Sequence, residues 1–504
     1  MNAPFATDGI TVGADGIKRY DGLAPNLVEA LAGTVDRAPD EVALVEAGGE
    51  RVTYGDLLTR AARVAGGLRD RGVGQGDRVA LRMANGNEWV FAFWGTLLAG
   101  GVVVPVNTRF TDEEAAYVVD DSGAMLTLVD GAPLPDGEPL DAADSARHDA
   151  VPDDLAAIFY TSGTTGFPKG AMTTHANFLS NVETCIRCVG TDRTRHHTTL
   201  ISVPLFHVTG CNSQLLLMTV LGGTSVIMPA FDVGQFLRLV ESERITYLIT
   251  VPAIYWLALN HPDFAGVDTS SVEVIAYGGA PISPDLVHQI RDAFPSARVG
   301  NGFGLTETSS VATFLPHEDA AEHADSVGYP APVVDVRIAE PDADSGVGEL
   351  EIRGPNVVAG YWNKPHQTAD TFVHGWLRTG DMGRIDDGGR VHVVDRKKDM
   401  INRGGENVYS VEVENALVRH PDVAEVAVIA VPDEVMGEKV GAVIVPRGAH
   451  LDVDAVLASA GELLADFKVP QYVVVRHEAL PRNPGGKLLK PALRSETVWG
   501  EPLR

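Results

Sequence analysis

From Thr53 the chain reads TYGDLLTRAARVAGGLRDRG, and Leu57, Leu58, Ala61, Val64, Ala65 and Leu68 recur at the spacing of one helix face. Gly72 closes the run. RVALRM from Arg78 is short and apolar and predicts a strand. The uncharged run from Trp89 to Val106, WVFAFWGTLLAGGVVVPV, approaches the length of a membrane span, but Gly100-Gly101 and Pro105 cut it. A buried helix followed by a buried strand fits it better, which completes a βαβ unit. The alternation of strand and helix continues to about residue 380.

Near Asp381 the texture changes. VHVVDRKKDMINRGGENVYS reads as a short strand, a charged joint and a Gly-Gly loop. A helix is predicted from Val411, with Ser410 as its N-cap and Glu412 and Glu414 in its first turn. Strands at VAEVAVIAV and VGAVIV follow, then a helix near Asp454 to Leu464, a strand at Tyr472 to Val475, and a polar, Gly-rich tail. The predicted class is α/β: a large N-terminal α/β domain over residues 1–396 and a small α+β domain over 397–504, joined near Lys398.

Composition narrows the picture. A length of 504 residues suits two to four domains, and 45% hydrophobic content suits large cores. A net charge of −28 argues against a surface for nucleic acid or anionic membrane, so any phosphate ligand has to be met by a local cluster of cations. MNAPFATDGI has no basic region followed by an apolar run, so no secretory signal and no stable membrane span are expected, and the expected location is cytoplasmic. Three cysteines do not make a disulfide framework. Cys185-x-x-Cys188 with His196-His197 lacks a well-spaced second ligand pair for zinc, and NFLSNVETCIRCVG puts both cysteines on one face of a helix. HEDAAEH at His317 to His323 is not a His-Glu-x-x-His zinc motif.

The candidate chemistry lies at four strand ends, where open α/β sheets bind ligands. LAAIFY runs into TSGTTGFPKG, TLISV into PLFHVTG, VEVIAY into GGAP, and SARVG into NGFGLTET. In the first loop, glycines and hydroxyls can wrap phosphate oxygens and Lys169 supplies a point charge. The loop is not a Walker A sequence, because Pro168 precedes the lysine and Gly170 follows it. Glu307 in NGFGLTET is an acidic group at a phosphate site, where Mg²⁺ makes it useful by bridging carboxylate and phosphate.

With these residues in hand, the chain resembles the adenylate-forming superfamily of acyl-CoA synthetases, luciferases and nonribosomal adenylation domains, and most of all the bacterial fatty-acyl-CoA ligases. The resemblance spans nearly the whole chain and rests on YTSGTTGFPKG, PLFH, GGAP, GFGLTE, RTGD at Arg378 to Asp381, DRKKDMINRGGENV at Asp395 to Val408, and PRNPGGKLLK at Pro481 to Lys490. It implies two half-reactions. A carboxylate attacks the α-phosphate of ATP to give acyl-AMP and pyrophosphate; the small domain then swings, and the thiol of coenzyme A displaces AMP.

Roles follow by motif position. Thr161, Ser162, Gly163, Thr164, Thr165 and Lys169 resemble the triphosphate loop, and Gly279, Ala280 and Pro281 the wall beside adenine. Asn301, Phe303 and Gly304 belong to the nucleotide site, with Phe303 standing where the family usually has an adenine-stacking Tyr. Thr306 would touch the α-phosphate and Glu307 would hold Mg²⁺, with Thr161 as a lesser candidate ligand. Asp381 and Arg396 would contact the ribose, Lys398 matches the hinge, and Gly404-Gly405 lie in the loop that serves thioester formation. Lys487 matches the lysine that bridges carboxylate and α-phosphate, and His207 the aromatic gate of the acyl site. Asn402 and Arg403 precede the Gly pair where Ser is common, and NPGGK replaces the usual Asn-x-Thr-Gly-Lys.

The expected partner is a small hydrophobic carboxylic acid, and a homodimer is allowed. Gly210, Gly278, Gly302 and Gly304 leave room for a deep or broad acyl tunnel. Phe231-Asp232 echoes an amino-acid-binding pair of nonribosomal adenylation domains but lies well beyond PLFH. Two alternatives stay open: a stand-alone adenylating enzyme for another acid or acceptor, and an acyl-CoA ligase effective mainly in the thioester half-reaction.

Overall fold

The computed structural model describes residues 4–140, 150–161, 167–280, 282–404, 406–482 and 488–503. They form two compact units. The first comprises Met1–Arg337, Glu351–Arg378 and Asp386–His392; the second comprises Ile338–Leu350, Thr379–Ile385 and Val393–Arg504.

The helix expected after Thr53 spans Tyr54–Asp70. The Thr53 hydroxyl caps it by accepting from the Asp56 N–H, and Leu57, Ala61, Val64, Ala65 and Leu68 are buried. The apolar run is a helix at Asn87–Leu98 and a strand at Val102–Pro105. Gly95 lets the two helices approach closely, since a Cβ there would lie 2.5 Å from Val64 Cγ1. Trp89 stacks on Phe93 at 5.3 Å, and both are fully buried. No helix among the described residues is long and apolar enough to cross a membrane.

Two sheets organise the first unit. In one, the strands Leu126–Val129, Arg78–Arg82, Val102–Pro105 and Leu155–Thr161 are parallel, and Lys169–Thr174 closes the edge antiparallel to the last of them. In that antiparallel pairing Tyr160 lies opposite Gly170 and Thr161 opposite Lys169. The other sheet has nine strands. Its parallel centre runs Arg298–Phe303, Val274–Gly278, Tyr247–Thr250, Thr198–Ile201, Thr224–Ile227 and Val42–Glu46. PLFH, GGAP and GFGLTE thus leave the same edge of one sheet. Tyr247–Thr250 adds a fourth exit there, Val251-Pro252, that the sequence reading did not single out. One expectation needs correcting: the strand begun at SARVG does not end before NGFG but continues through Phe303, held by antiparallel pairing of Phe303 with Thr313.

The second unit has a five-stranded sheet in which Val423–Asp433 and Gly437–Pro446 pair over their length and Tyr472–Val475 joins in parallel. Two further corrections fall here. Ser410 is not an N-cap: the helix is Ser410–Leu417, and the residue before it is Tyr409. The Ser410 hydroxyl is used elsewhere, donating to Asp395 Oδ1 at 3.0 Å and accepting from Lys490 Nζ at 2.6 Å. The tail is also more ordered than expected, with a helix at Lys490–Glu496 that starts with Pro in its first turn. Lys490 is 7% exposed and also meets Glu414 at 2.7 Å. Burial pushes the Asp395 and Glu414 carboxyls above the usual range, and Lys490 opposes that shift.

Candidate active site

Within the first unit, Lys169 and Glu307 both meet one aromatic side chain, that of Tyr361. The Lys169 ammonium lies 5.0 Å from the ring centroid of Tyr361, and the Tyr361 hydroxyl donates to Glu307 Oε1 at 2.7 Å. Burial and the Glu307 charge push the Tyr361 phenol well above its usual range, so it stays protonated and donates. Thr161, paired opposite Lys169, directs its hydroxyl at the Lys169 carbonyl at a long 3.4 Å. The sequence reading placed Thr161, Lys169 and Glu307 in one site and missed Tyr361.

Thr306 and Glu307 stand on a short 3₁₀ turn, Thr306–Thr308, followed by two serines in the left-handed half of backbone space. Ser309 has φ +56° and Ser310 φ +120°, conformations that non-glycine residues avoid. Buried amides hold this turn. Asn181 Nδ2 donates to the Val311 carbonyl at 2.7 Å, and Asn356 Nδ2 donates to the carbonyls of Thr308 and Val311, both at 3.1 Å. Asn212 donates to the Ser309 carbonyl at 2.5 Å, and the Ser213 and Ser310 hydroxyls lie 2.7 Å apart. Asn212 and Ser213 belong to a π-helical stretch, Cys211–Leu216, directly downstream of PLFH, a feature that often marks functional sites. The stretches that directly follow two of the four motif segments are therefore hydrogen-bonded to each other through buried side chains.

The glycines of the strand ends are explained largely by backbone approach. A Cβ on Gly278 would lie 2.2 Å from the Gly302 carbonyl, one on Gly304 1.5 Å from the Ser310 carbonyl, and one on Gly210 2.5 Å from the Pro204 carbonyl. Only Gly302, whose nearest neighbours at 3.7–3.8 Å are the Val311 and Phe314 side chains, still speaks for space in an acyl tunnel. Gly279 has φ +74°, and it and Ala280 are exposed at the strand end. Asn301 is buried and donates to the Ser326 carbonyl at 3.3 Å, while Phe303 is half-buried. His207 is exposed, its ring 4.7 Å from that of Phe206. Asp232 caps the helix Val233–Ser242 by accepting from the Gln235 N–H at 2.7 Å, which gives that carboxylate a structural task.

In the second unit the predicted ribose pair meets. Arg396 Nε lies 2.8 Å from Asp381 Oδ1, and Asp381 is only 3% exposed. Two backbone features set this up: Gly380 turns with φ +71°, and its carbonyl accepts from the Lys397 N–H at 2.9 Å. Lys397 also pairs with Glu349 at 2.8 Å. Lys398 lies in the turn after Arg396, and its carbonyl accepts from Arg494 Nη2 at 3.1 Å. Gly404 has φ +61° and follows a strand, Ile401–Arg403, that pairs Ile401 with Val408 and Arg403 with Glu406. Ser162, Gly163, Thr164, Thr165, Pro281, Gly405 and Lys487 lie outside the described residues.

The donor set at Glu307 fits a hard cation. One carboxylate oxygen takes the Tyr361 hydrogen bond, and the other has no hydrogen-bond donor among the described residues.

Known proteins resemble this chain over most of its length. Residues 31–362 match the AMP-binding enzyme family, and residues 412–487 match the AMP-binding enzyme C-terminal domain. A feruloyl-CoA synthase of an Amycolatopsis species is 39% identical, over 89% of this chain and 95% of its own length. A long-chain-fatty-acid–CoA ligase of Mycobacterium tuberculosis is 36% identical, over 88% of this chain and 93% of its own. The structure of the o-succinylbenzoate coenzyme A synthetase of Bacillus subtilis in complex with ATP and magnesium ion superimposes with a TM-score of 0.82 at 29% identity, covering 93% of this chain and 98% of that one. The chain belongs to the AMP-binding enzyme family, within the adenylate-forming superfamily that includes the ATP-dependent, AMP-forming acid–CoA ligases.

Proposed function

We propose that this chain joins a hydrophobic carboxylic acid to coenzyme A in two steps. In the first, a carboxylate oxygen of the acid attacks the α-phosphorus of ATP, the bond to the β-phosphate bridging oxygen breaks, and acyl-AMP and pyrophosphate form. In the second, the thiol sulfur of coenzyme A attacks the acyl carbon, AMP leaves, and the thiol proton goes to solvent. The observation that supports this reading most is the grouping of Lys169, Tyr361 and Glu307, with Thr161 paired opposite Lys169.

Each residue has a task the chemistry requires. Two anions have to be brought together, and Lys169 and Lys487 supply positive charge that offsets their repulsion. Thr161, Ser162, Gly163, Thr164 and Thr165 wrap the triphosphate, and Thr306 contacts the α-phosphate. Glu307, with Thr161 as a lesser partner, holds Mg²⁺, which neutralises charge on the triphosphate oxygens when bound. Gly279, Ala280 and Pro281 flank adenine, and Phe303 stacks on it with Asn301 and Gly304 beside it. Asp381 and Arg396 take the ribose hydroxyls. The domain boundary follows the chain as 1–396 and 397–504, with Lys398 as pivot, and Gly404-Gly405 enter the second step. His207 gates the acyl site.

A hydrophobic acid is favoured over an amino acid. The named relatives act on feruloyl and long-chain fatty acyl groups, and Asp232 is occupied in capping a helix. A cytoplasmic location is supported by three free, buried thiols, which suit a reducing compartment.

The test separates the two steps. Lys487→Ala should abolish pyrophosphate release from acid and ATP yet still convert supplied acyl-AMP and coenzyme A to thioester. First-step rates within about twofold of wild type, where about tenfold corresponds to 1.4 kcal/mol of barrier, would remove Lys487 from its role.

A further inference from the structure

The segment that carries Tyr361 touches both the strand that bears Lys169 and the turn that bears Glu307. Its backbone runs beside the strand bearing Lys169: Met172 N–H donates to the Gly360 carbonyl at 3.0 Å, and Trp362 N–H to the Gly170 carbonyl at 2.8 Å. It also holds the turn that bears Glu307. Val358 N–H donates to the Glu307 carbonyl at 2.9 Å, and Asn356 donates to the Thr308 carbonyl. Tyr361 itself is fixed. Its N–H donates to Thr368 Oγ1 at 2.9 Å, its ring packs edge-on against Phe372 at 5.6 Å, and only 7% of it is exposed.

A buried tyrosine so held presents two polar features to two different groups. The hydroxyl goes to one Glu307 oxygen and the ring face to the Lys169 ammonium. A hydrogen bond to one oxygen of a ligating carboxylate fixes the rotamer of that carboxylate and leaves its other oxygen for a cation. The ring face gives the Lys169 ammonium a partner other than the Glu307 carboxylate.

We propose that Tyr361 is a positioning residue for magnesium nucleotide, holding the Glu307 carboxylate and the Lys169 ammonium apart and oriented. The proposal rests on the reading of Glu307 as the metal carboxylate. Tyr361 acts through its hydroxyl on metal-dependent binding, and through its ring on the triphosphate irrespective of metal.

The experiment is isothermal titration of the full-length protein with ATP, in Mg²⁺ and in EDTA, with no acid present. Wild type, Tyr361→Phe, Tyr361→Leu, Glu307→Gln and the double variant Y361F/E307Q are compared. Tyr361→Phe should weaken binding in Mg²⁺ about tenfold and leave binding in EDTA within about twofold, which also shows that the variant is folded. Tyr361→Leu should weaken both. The double variant should be no worse than Glu307→Gln alone. Unchanged magnesium dependence in Tyr361→Phe, equal loss in both conditions, or additive losses in the double variant would each overturn the proposal. A Glu307→Gln protein that keeps the full magnesium effect would instead overturn the metal reading of Glu307, and the proposal with it.

Discussion

Arg396 and Asp381 are joined by a 2.8 Å ion pair in which the carboxylate is buried and the guanidinium half-exposed. A buried carboxylate beside a cation that can still reach outward suits a group that accepts from sugar hydroxyls. Because AMP is held in both half-reactions, Asp381→Ala should impair both. Losing a charge-assisted hydrogen bond is worth about 1.5–3 kcal/mol, so kcat/KM should fall about ten- to a hundredfold for acid plus ATP and for acyl-AMP plus coenzyme A alike. Steady-state kinetics on the two routes check this; loss on one route alone would take Asp381 away from the ribose.

The proposed pivot at Lys398 can be frozen. Lys398 lies in a turn between Arg396 and the strand Ile401–Arg403. Proline fixes φ near −65°, so Lys398→Pro should keep adenylation largely intact and remove thioester formation. Rapid-quench measurement of each step distinguishes this from misfolding, which would lower both together.

The buried cluster of the second unit makes its stability depend on pH. Asp395 and Glu414 have carboxyls raised by burial, and Lys490 is the cation that opposes the shift. Raised folded-state values mean that the neutral carboxyls favour folding. Their contribution is full below the ordinary carboxylate range and is lost as pH rises through the folded values. Lys490→Met removes the compensating charge and raises those values further. It should cost about 3–5 kcal/mol at pH 8 and less at pH 5, because protonating the carboxyls becomes easier as pH falls. Denaturant titration at the two pH values reads the difference; equal losses would mean that the cluster contributes through packing alone.

The parts of this molecule legible in its sequence are those governed by local rules. The helix Tyr54–Asp70 follows from its apolar spacing and the Thr53 cap, and the Asn87–Leu98 helix with its following strand follows from length and the Gly100-Gly101 break. Ser410 was misread because the groups that engage its hydroxyl, Asp395 and Lys490, are distant in the chain. The Lys490–Glu496 helix was missed although Pro491, in its first turn, was a usable signal. Tyr361 carries no local mark of its task. It lies 54 residues from Glu307, and only the fold brings its hydroxyl there. The amides of Asn181, Asn212 and Asn356 are invisible for the same reason: in sequence they look like surface residues, and in the structure they bond to the turn after Glu307. The strand-end glycines show the converse error, since three of the four that suggested an open tunnel are needed for backbone contact.

The central claim is that this chain activates a hydrophobic carboxylic acid through an adenylate and passes it to coenzyme A. The most direct measurement incubates the protein with ATP, Mg²⁺ and coenzyme A against a panel of aryl, fatty, alicyclic and amino acids, and follows acyl-AMP, acyl-CoA, AMP and pyrophosphate by mass spectrometry. The account predicts AMP and pyrophosphate in equal amounts, with an acyl-CoA from at least one hydrophobic acid and none from amino acids. Formation of ADP, or an adenylate of an amino acid with no thioester from any hydrophobic acid, would contradict it.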